Sequence, residues 1–103
     1  MQQGYIYKLK KEFKSLYDIN SFKHYFIFWE MDSSDIKGIM LTHTTTKQRD
    51  NNHKLLESHF KKELSFKYDQ THFVELLLLK KVKYEHLDKC GELTKSGVGY
   101  ISK

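Results

Sequence analysis

Two short apolar runs stand close together in this chain, Tyr25-Phe26-Ile27-Phe28-Trp29 and Ile36-Lys37-Gly38-Ile39-Met40-Leu41. Both are too short for a buried helix and are rich in aromatic and branched side chains, so they constrain the chain to neighbouring strands. Asp32-Ser33-Ser34-Asp35 between them is polar and of hairpin length. Strands at about 24 to 31 and 36 to 43, paired antiparallel, bring His24 at the mouth of the first to the same edge as Thr42 and His43 at the exit of the second. That edge is where the sequence points to chemistry.

The rest of the chain is read around this pair. Ile6, Leu9, Phe13, Leu16 and Tyr17 are spaced as one apolar stripe, which predicts an amphipathic N-terminal helix over residues 5 to 17. Thr44 to Asn52 is polar and aperiodic, a long loop. One of Asp50, Asn51 and Asn52 then caps a short helix with Leu55, Leu56, His59 and Phe60 on a shared face. Leu64, Phe66 and Tyr68 alternate with polar residues as in a half-exposed strand. Thr71 to Leu79, with Phe73, Val74 and four successive leucines, reads as the most buried strand. Cys90-Gly91-Glu92-Leu93 reads as a short strand, and Thr94 as the cap of a weak last helix interrupted by Gly97 and Gly99. The expected fold class is α+β. A small, strongly curved, mainly antiparallel sheet, SH3-like or a partly open barrel, carries an N-terminal helix and short covering helices. All 103 residues are expected in a single domain.

Composition narrows the setting. A lone cysteine, Cys90, has no internal disulfide partner, which fits a reducing cytosol. No stretch approaches the roughly 20 apolar residues of a membrane span, and the N-terminus lacks a signal-peptide core. A soluble, cytoplasmic protein without membrane partners is therefore expected. The formal charge of +5 is carried by lysine, since Arg49 is the single arginine. Lysine-borne charge favours solubility and weak phosphate attraction over bidentate recognition.

The order of these segments resembles the MazF/PemK-like toxins, small SH3-like barrels that act as ribosome-independent endoribonucleases. His24-Tyr25-Phe26-Ile27-Phe28-Trp29 and Gly38-Ile39-Met40-Leu41-Thr42-His43 stand where that family has a strand entered by a basic residue and a strand closing on an apolar-Thr-Ser motif. Phe73-Val74-Glu75-Leu76-Leu77-Leu78, followed by Leu87-Asp88-Lys89-Cys90-Gly91-Glu92-Leu93-Thr94, is similar to its penultimate strand and the Gly-x-Leu-Ser/Thr lead into its last helix. The likeness runs from about residue 23 to 102 through short, degenerate motifs. His24-Tyr25 replaces the family's Arg-Pro, and His43 replaces its Ser. The resemblance implies cleavage of single-stranded RNA through a 2′,3′-cyclic phosphate with no cofactor and no metal. It also implies Thr42 as a site residue, an antitoxin partner covering the active face, and a homodimer formed through the sheet.

Metal-free RNA cleavage needs a base for the 2′-hydroxyl, an acid for the leaving oxygen and a cation for the phosphorane. His24 and His43 are candidates for the first two roles, because imidazole titrates near working pH. Thr42 is the candidate to hold a phosphate oxygen, with Lys23 and Lys47 as cations and Arg49 beside them. Lys81 and Lys83 form a second phosphate track, where Tyr84 and His86 are available for stacking. In the competing reading Thr42 is an ordinary strand former, both histidines are solvated and the lysine run is a solvated face. The chain is then a protein-binding module, such as an immunity or regulatory protein of a mobile element, or a barrel that binds nucleic acid without cutting it. His59 beside Phe60 reads as a packed histidine, Cys90 as an inert core thiol and Trp29 as core. His72 opens a buried strand and can face His43 or His24, but no histidine pair has HxH or HxxxH spacing, which argues against zinc.

The 44–52 segment follows the proposed site directly and carries two cations. Replacing Lys47 and Arg49 together by Ala is expected to weaken RNA binding and to lower the salt slope by roughly 1 to 1.5, as fewer counterions are released. Anisotropy titrations across a salt series measure this, and an unchanged slope would make the segment a plain connector.

Overall fold

The computed structural model describes residues 2–16, 25–33, 35–42, 53–62, 72–79 and 83–102. The two apolar runs form a hairpin, β2 (Phe26–Asp32) and β3 (Asp35–Thr42), with Phe26 opposite Met40 and Asp32 opposite Asp35. Ser33 turns the corner at φ 58°, a left-handed conformation typical of tight hairpins. Trp29 is the extra residue of a bulge between the Phe28–Gly38 and Glu30–Lys37 pairs, and Gly38 across from it fits a distorted ladder.

Four further strands complete an all-antiparallel sheet: β1 (Tyr5–Leu9), β4 (His53–Lys54), β5 (His72–Leu79) and β6 (Leu87–Glu92). Their spatial order is β4-β5-β3-β2-β1-β6. The central strands bury both faces. Ile6, Ile27 and Ile39 lie opposite one another across β1, β2 and β3, packed with Leu41, Leu55, Phe60, Cys90 and Leu93. On the other face Tyr7, Leu9, Phe26, Phe28, Ile36 and Leu87 form a second cluster, with Phe13 against it. Each fully buried isoleucine contributes roughly 1.5–3 kcal/mol.

One helix, α1 (Lys95–Ser102), closes the chain and packs Val98 and Ile101 on the first cluster. Thr94 caps it. Its hydroxyl accepts the Gly97 N–H at 3.2 Å and donates to the Ser58 carbonyl at 3.0 Å. Gly97 lies so close to His59 that a methyl group there would run into the His59 carbonyl oxygen. No helix among the described residues is long and apolar enough to cross a membrane.

Three expectations are corrected. First, the chain does not open with a helix: residues 5–9 are β1, followed by a 3-10 turn, Lys11–Leu16. Ile6 and Tyr7 are adjacent and both buried, which a strand covered on both faces permits and a one-sided helical stripe does not. Second, the sheet is not closed into an SH3-like or partly open barrel. β4 and β6 are its edges, and beyond them, among the described residues, the Phe60–Leu93 bridge with the contacts of Lys61 to Glu92 and of Thr94 to Ser58 and His59 joins the two segments without making a ladder. Third, the helix expected around residues 55–60 is β4 plus a 3-10 turn, Glu57–His59; Leu55 and His59 are buried there while Leu56 is exposed. The proposed 44–52 loop and the strand at Leu64 to Tyr68 lie outside the described residues.

Gly4 joins β1 to both neighbours. Its N–H donates to the Phe28 carbonyl at 2.9 Å, and its carbonyl accepts from Leu93 at 2.8 Å. It sits at φ 94°, and a Cβ would come 2.9 Å from a Val98 methyl. Gly4→Ala is expected to cost about 1–3 kcal/mol and to lower Tm by at least several degrees in a circular dichroism melt. A melt superimposable on wild type would show that neither strain nor contact matters.

Candidate functional site

The ladders bring six strand ends to one end of the sheet. Tyr7 pairs with Phe26 and Phe26 with Met40, so the start of β2 meets the end of β3 and the later half of β1. The Leu41 N–H donates to the Tyr25 carbonyl at 2.8 Å, continuing this contact beyond β2. Thr42 is opposite His72, the first residue of β5, and His72 is opposite Lys54 of β4. Leu9 is opposite Leu87, which sets the start of β6 and the 3-10 turn Tyr84–His86 at this end as well.

Of the residues expected to form a site, Thr42 has its backbone here as the last residue of β3. His24, His43, Lys23, Lys47, Arg49 and Lys81 lie outside the described residues. By chain connectivity His24 directly precedes Tyr25 and His43 directly follows Thr42. Lys83 is exposed at the same sheet end but belongs to the β6 side, separated from Thr42 by β2 and β1. Two residues that periodicity did not assign to the site join it: His72 and Lys54, both through the register of β5. His72 was legible as a strand opener able to face His43 or His24, though not as the partner of Thr42, and Lys54 sat inside an expected helix.

Charge is divided between the two ends. The Thr42 end carries Lys10, Lys11, Lys54 and Lys83 against Glu12 and Glu85, with His53, His72 and His86 besides. The hairpin end carries Glu30, Asp32, Asp35 and Glu92 against Lys37, Lys61 and Lys89. There Glu92 accepts hydrogen bonds from Lys61, at 2.6 Å, and from Lys89, which hold its carboxyl below the usual range and push the Lys61 ammonium up. The Lys89 ammonium also lies 3.7 Å over the Tyr5 ring. Among the described residues, the Thr42 end is therefore the more basic of the two.

Other candidates take structural roles. His86 stacks on Phe13 with centroids 3.9 Å apart, so its ring faces protein, while Tyr84 is exposed with its ring edge-on to Tyr7. His59 is buried, stacks on Tyr100, and accepts the Leu56 N–H on Nδ1 at 3.0 Å. Cys90 is a buried thiol that donates to the Asp88 carbonyl at 3.4 Å, and Trp29 packs on the first cluster. Among the described residues no group of three His, Cys, Asp or Glu is placed to hold a metal ion. Compared with known proteins, the chain matches no family model, no curated protein and no solved structure.

Tyr7 lies near the site end but stays protonated. Burial first, then Tyr84, Tyr5 and Glu92, push its phenol up to about 12. Because the neutral phenol is the form the fold favours, its contribution to stability is complete below about pH 10 and fades as pH rises towards 12. Absorbance titration at 295 nm is expected to show one late phenol that Tyr7→Phe removes. A wild-type curve without a late phase contradicts this burial.

Proposed function

We propose that this protein is a toxin-like endoribonuclease of the MazF/PemK kind, cutting single-stranded RNA without a metal or cofactor and acting from the end of an open sheet. One observation carries the reading. The end of β3 at Thr42 meets the start of β5 at His72 and Lys54 of β4, on the more basic end of the sheet, and the chain runs from there directly into His24 and His43.

In the reaction one imidazole, His24 or His43, removes the 2′-hydroxyl proton. The 2′-oxygen bonds to phosphorus as the P–O5′ bond breaks, and the other imidazole protonates the leaving 5′-oxygen. The products are a 2′,3′-cyclic phosphate and a 5′-hydroxyl end. Thr42 and the nearby lysines hold and neutralise the phosphorane oxygens. An antitoxin covering this face and a homodimer formed through the sheet belong to the same reading. The rival reading, a protein-binding module, predicts none of this chemistry.

Expression of the wild-type chain should arrest growth, and the purified protein should leave 5′-hydroxyl ends on single-stranded RNA. His43→Ala should lower cleavage about 100-fold or more and abolish the arrest. A harmless wild type with no nuclease activity would reject the enzyme and favour the module or a fold that binds nucleic acid without cutting it.

A further inference from the structure

The three-strand row Thr42–His72–Lys54 marks the site end, yet the chemistry above leaves His72 without a role and does not say which lysine meets the phosphate. It arises from register alone: Thr42 of β3 opposite His72 of β5, and His72 opposite Lys54 of β4. Residues directly opposite in antiparallel ladders share a face, with neighbouring strands about 4.7–4.9 Å apart. Leu41 belongs to the first cluster, so by strand alternation the backbone places position 42 and its row on the opposite face, where Lys54 at the sheet edge is exposed. β4 is only two residues long, and both are exposed. This edge strand sets a lysine against the first residue of β5, next to the end of β3.

We infer that Thr42, His72 and Lys54 form a single phosphodiester-binding row for single-stranded RNA, with Lys54 supplying the cation and His72 positioning the phosphate between it and Thr42. A hydroxyl, an imidazole N–H and an ammonium are all donors to phosphate oxygens, and the ammonium bond is charge-assisted. No acidic residue occupies the row, whereas the opposite end of the sheet holds Glu30, Asp32 and Asp35. The row also supplies a lysine at the site, in a chain whose first site strand lacks the family's arginine. The inference rests on the RNA-acting reading of this end, but it concerns binding and not cleavage. The experiment separates the two.

The probe is a fluorescein-labelled, fully 2′-O-methylated single-stranded RNA decamer. It lacks the attacking hydroxyl and so cannot be cut by the proposed reaction. Full-length protein is titrated by anisotropy across a salt series, and unmodified RNA of the same sequence is assayed for cleavage. Lys54→Ala, at an exposed site, is expected to weaken binding about tenfold and to lower the salt slope by about 0.7. His72→Leu is expected to weaken binding, and His72→Gln, which keeps a donor, to restore most of it, with melting temperature checked for each variant. Lys54-dependent binding without cleavage of unmodified RNA supports the row and rejects the ribonuclease. Cleavage with Lys54→Ala binding at wild-type affinity and slope overturns the row and leaves the ribonuclease standing. A wild type that does not bind the decamer overturns the row.

Discussion

The row Ile6–Ile27–Ile39 holds the rest of the structure in register. The three residues are opposite partners on consecutive strands, and the same row continues to Leu76 of β5. A slip of one residue on any of these strands would exchange its whole inward set for the outward one. On this sheet such a slip is doubly costly, because the opposite face carries its own cluster around Tyr7, Phe26 and Phe28. Two clusters of different shape, one branched and the other aromatic, therefore act as two independent locks on one register.

Everything that composes the candidate site follows from that register. With Ile27 against Ile39, Phe26 meets Met40 and the polar residues beyond each apolar run arrive at one end of the sheet. A bulge on β5 between its Leu76 and Phe73 pairings brings His72, rather than Phe73, opposite Thr42. The lysines of β4 and of the turns after β1 and before β6 arrive there too, while the hairpin collects carboxylates. The site end is thus polar because the apolar residues have been used in the interior rows. Among the described residues it is the more basic end because Glu30, Asp32, Asp35 and Glu92 lie at the opposite one.

Legibility differed by element for physical reasons. The β2–β3 hairpin was legible because each run is short, apolar and bounded by Asp and Ser, a pattern with one economical solution. β5, β6 and the Thr94 cap were legible on the same local grounds. Residues 5–17 were misread because Ile6, Leu9 and Phe13 satisfy helical spacing, while the burial of Tyr7 next to Ile6 only makes sense once both faces of the sheet are covered. β4 was invisible, since nothing in His53-Lys54 marks a strand until β5 offers a partner. At the candidate site, the place of Thr42 at the end of an apolar run was legible, and so was His72 as a residue able to face His43 or His24. The row that joins His72 and Lys54 to Thr42 was not, because it exists only across strands distant in the chain.

By itself, the sequence determined the central hairpin, the position of the last helix and the end of the sheet at which Thr42 falls. These depend on spacing within a few residues of each other, and local sterics and capping act at that range. The tertiary structure decided that the chain begins with a strand, that both faces of the sheet are buried, that the sheet stays open at β4 and β6, and that His72 and Lys54 stand beside Thr42. Those features depend on which strand borders which. Strand order is set by competition among long-range pairings for buried apolar area, and no window of neighbouring residues contains it.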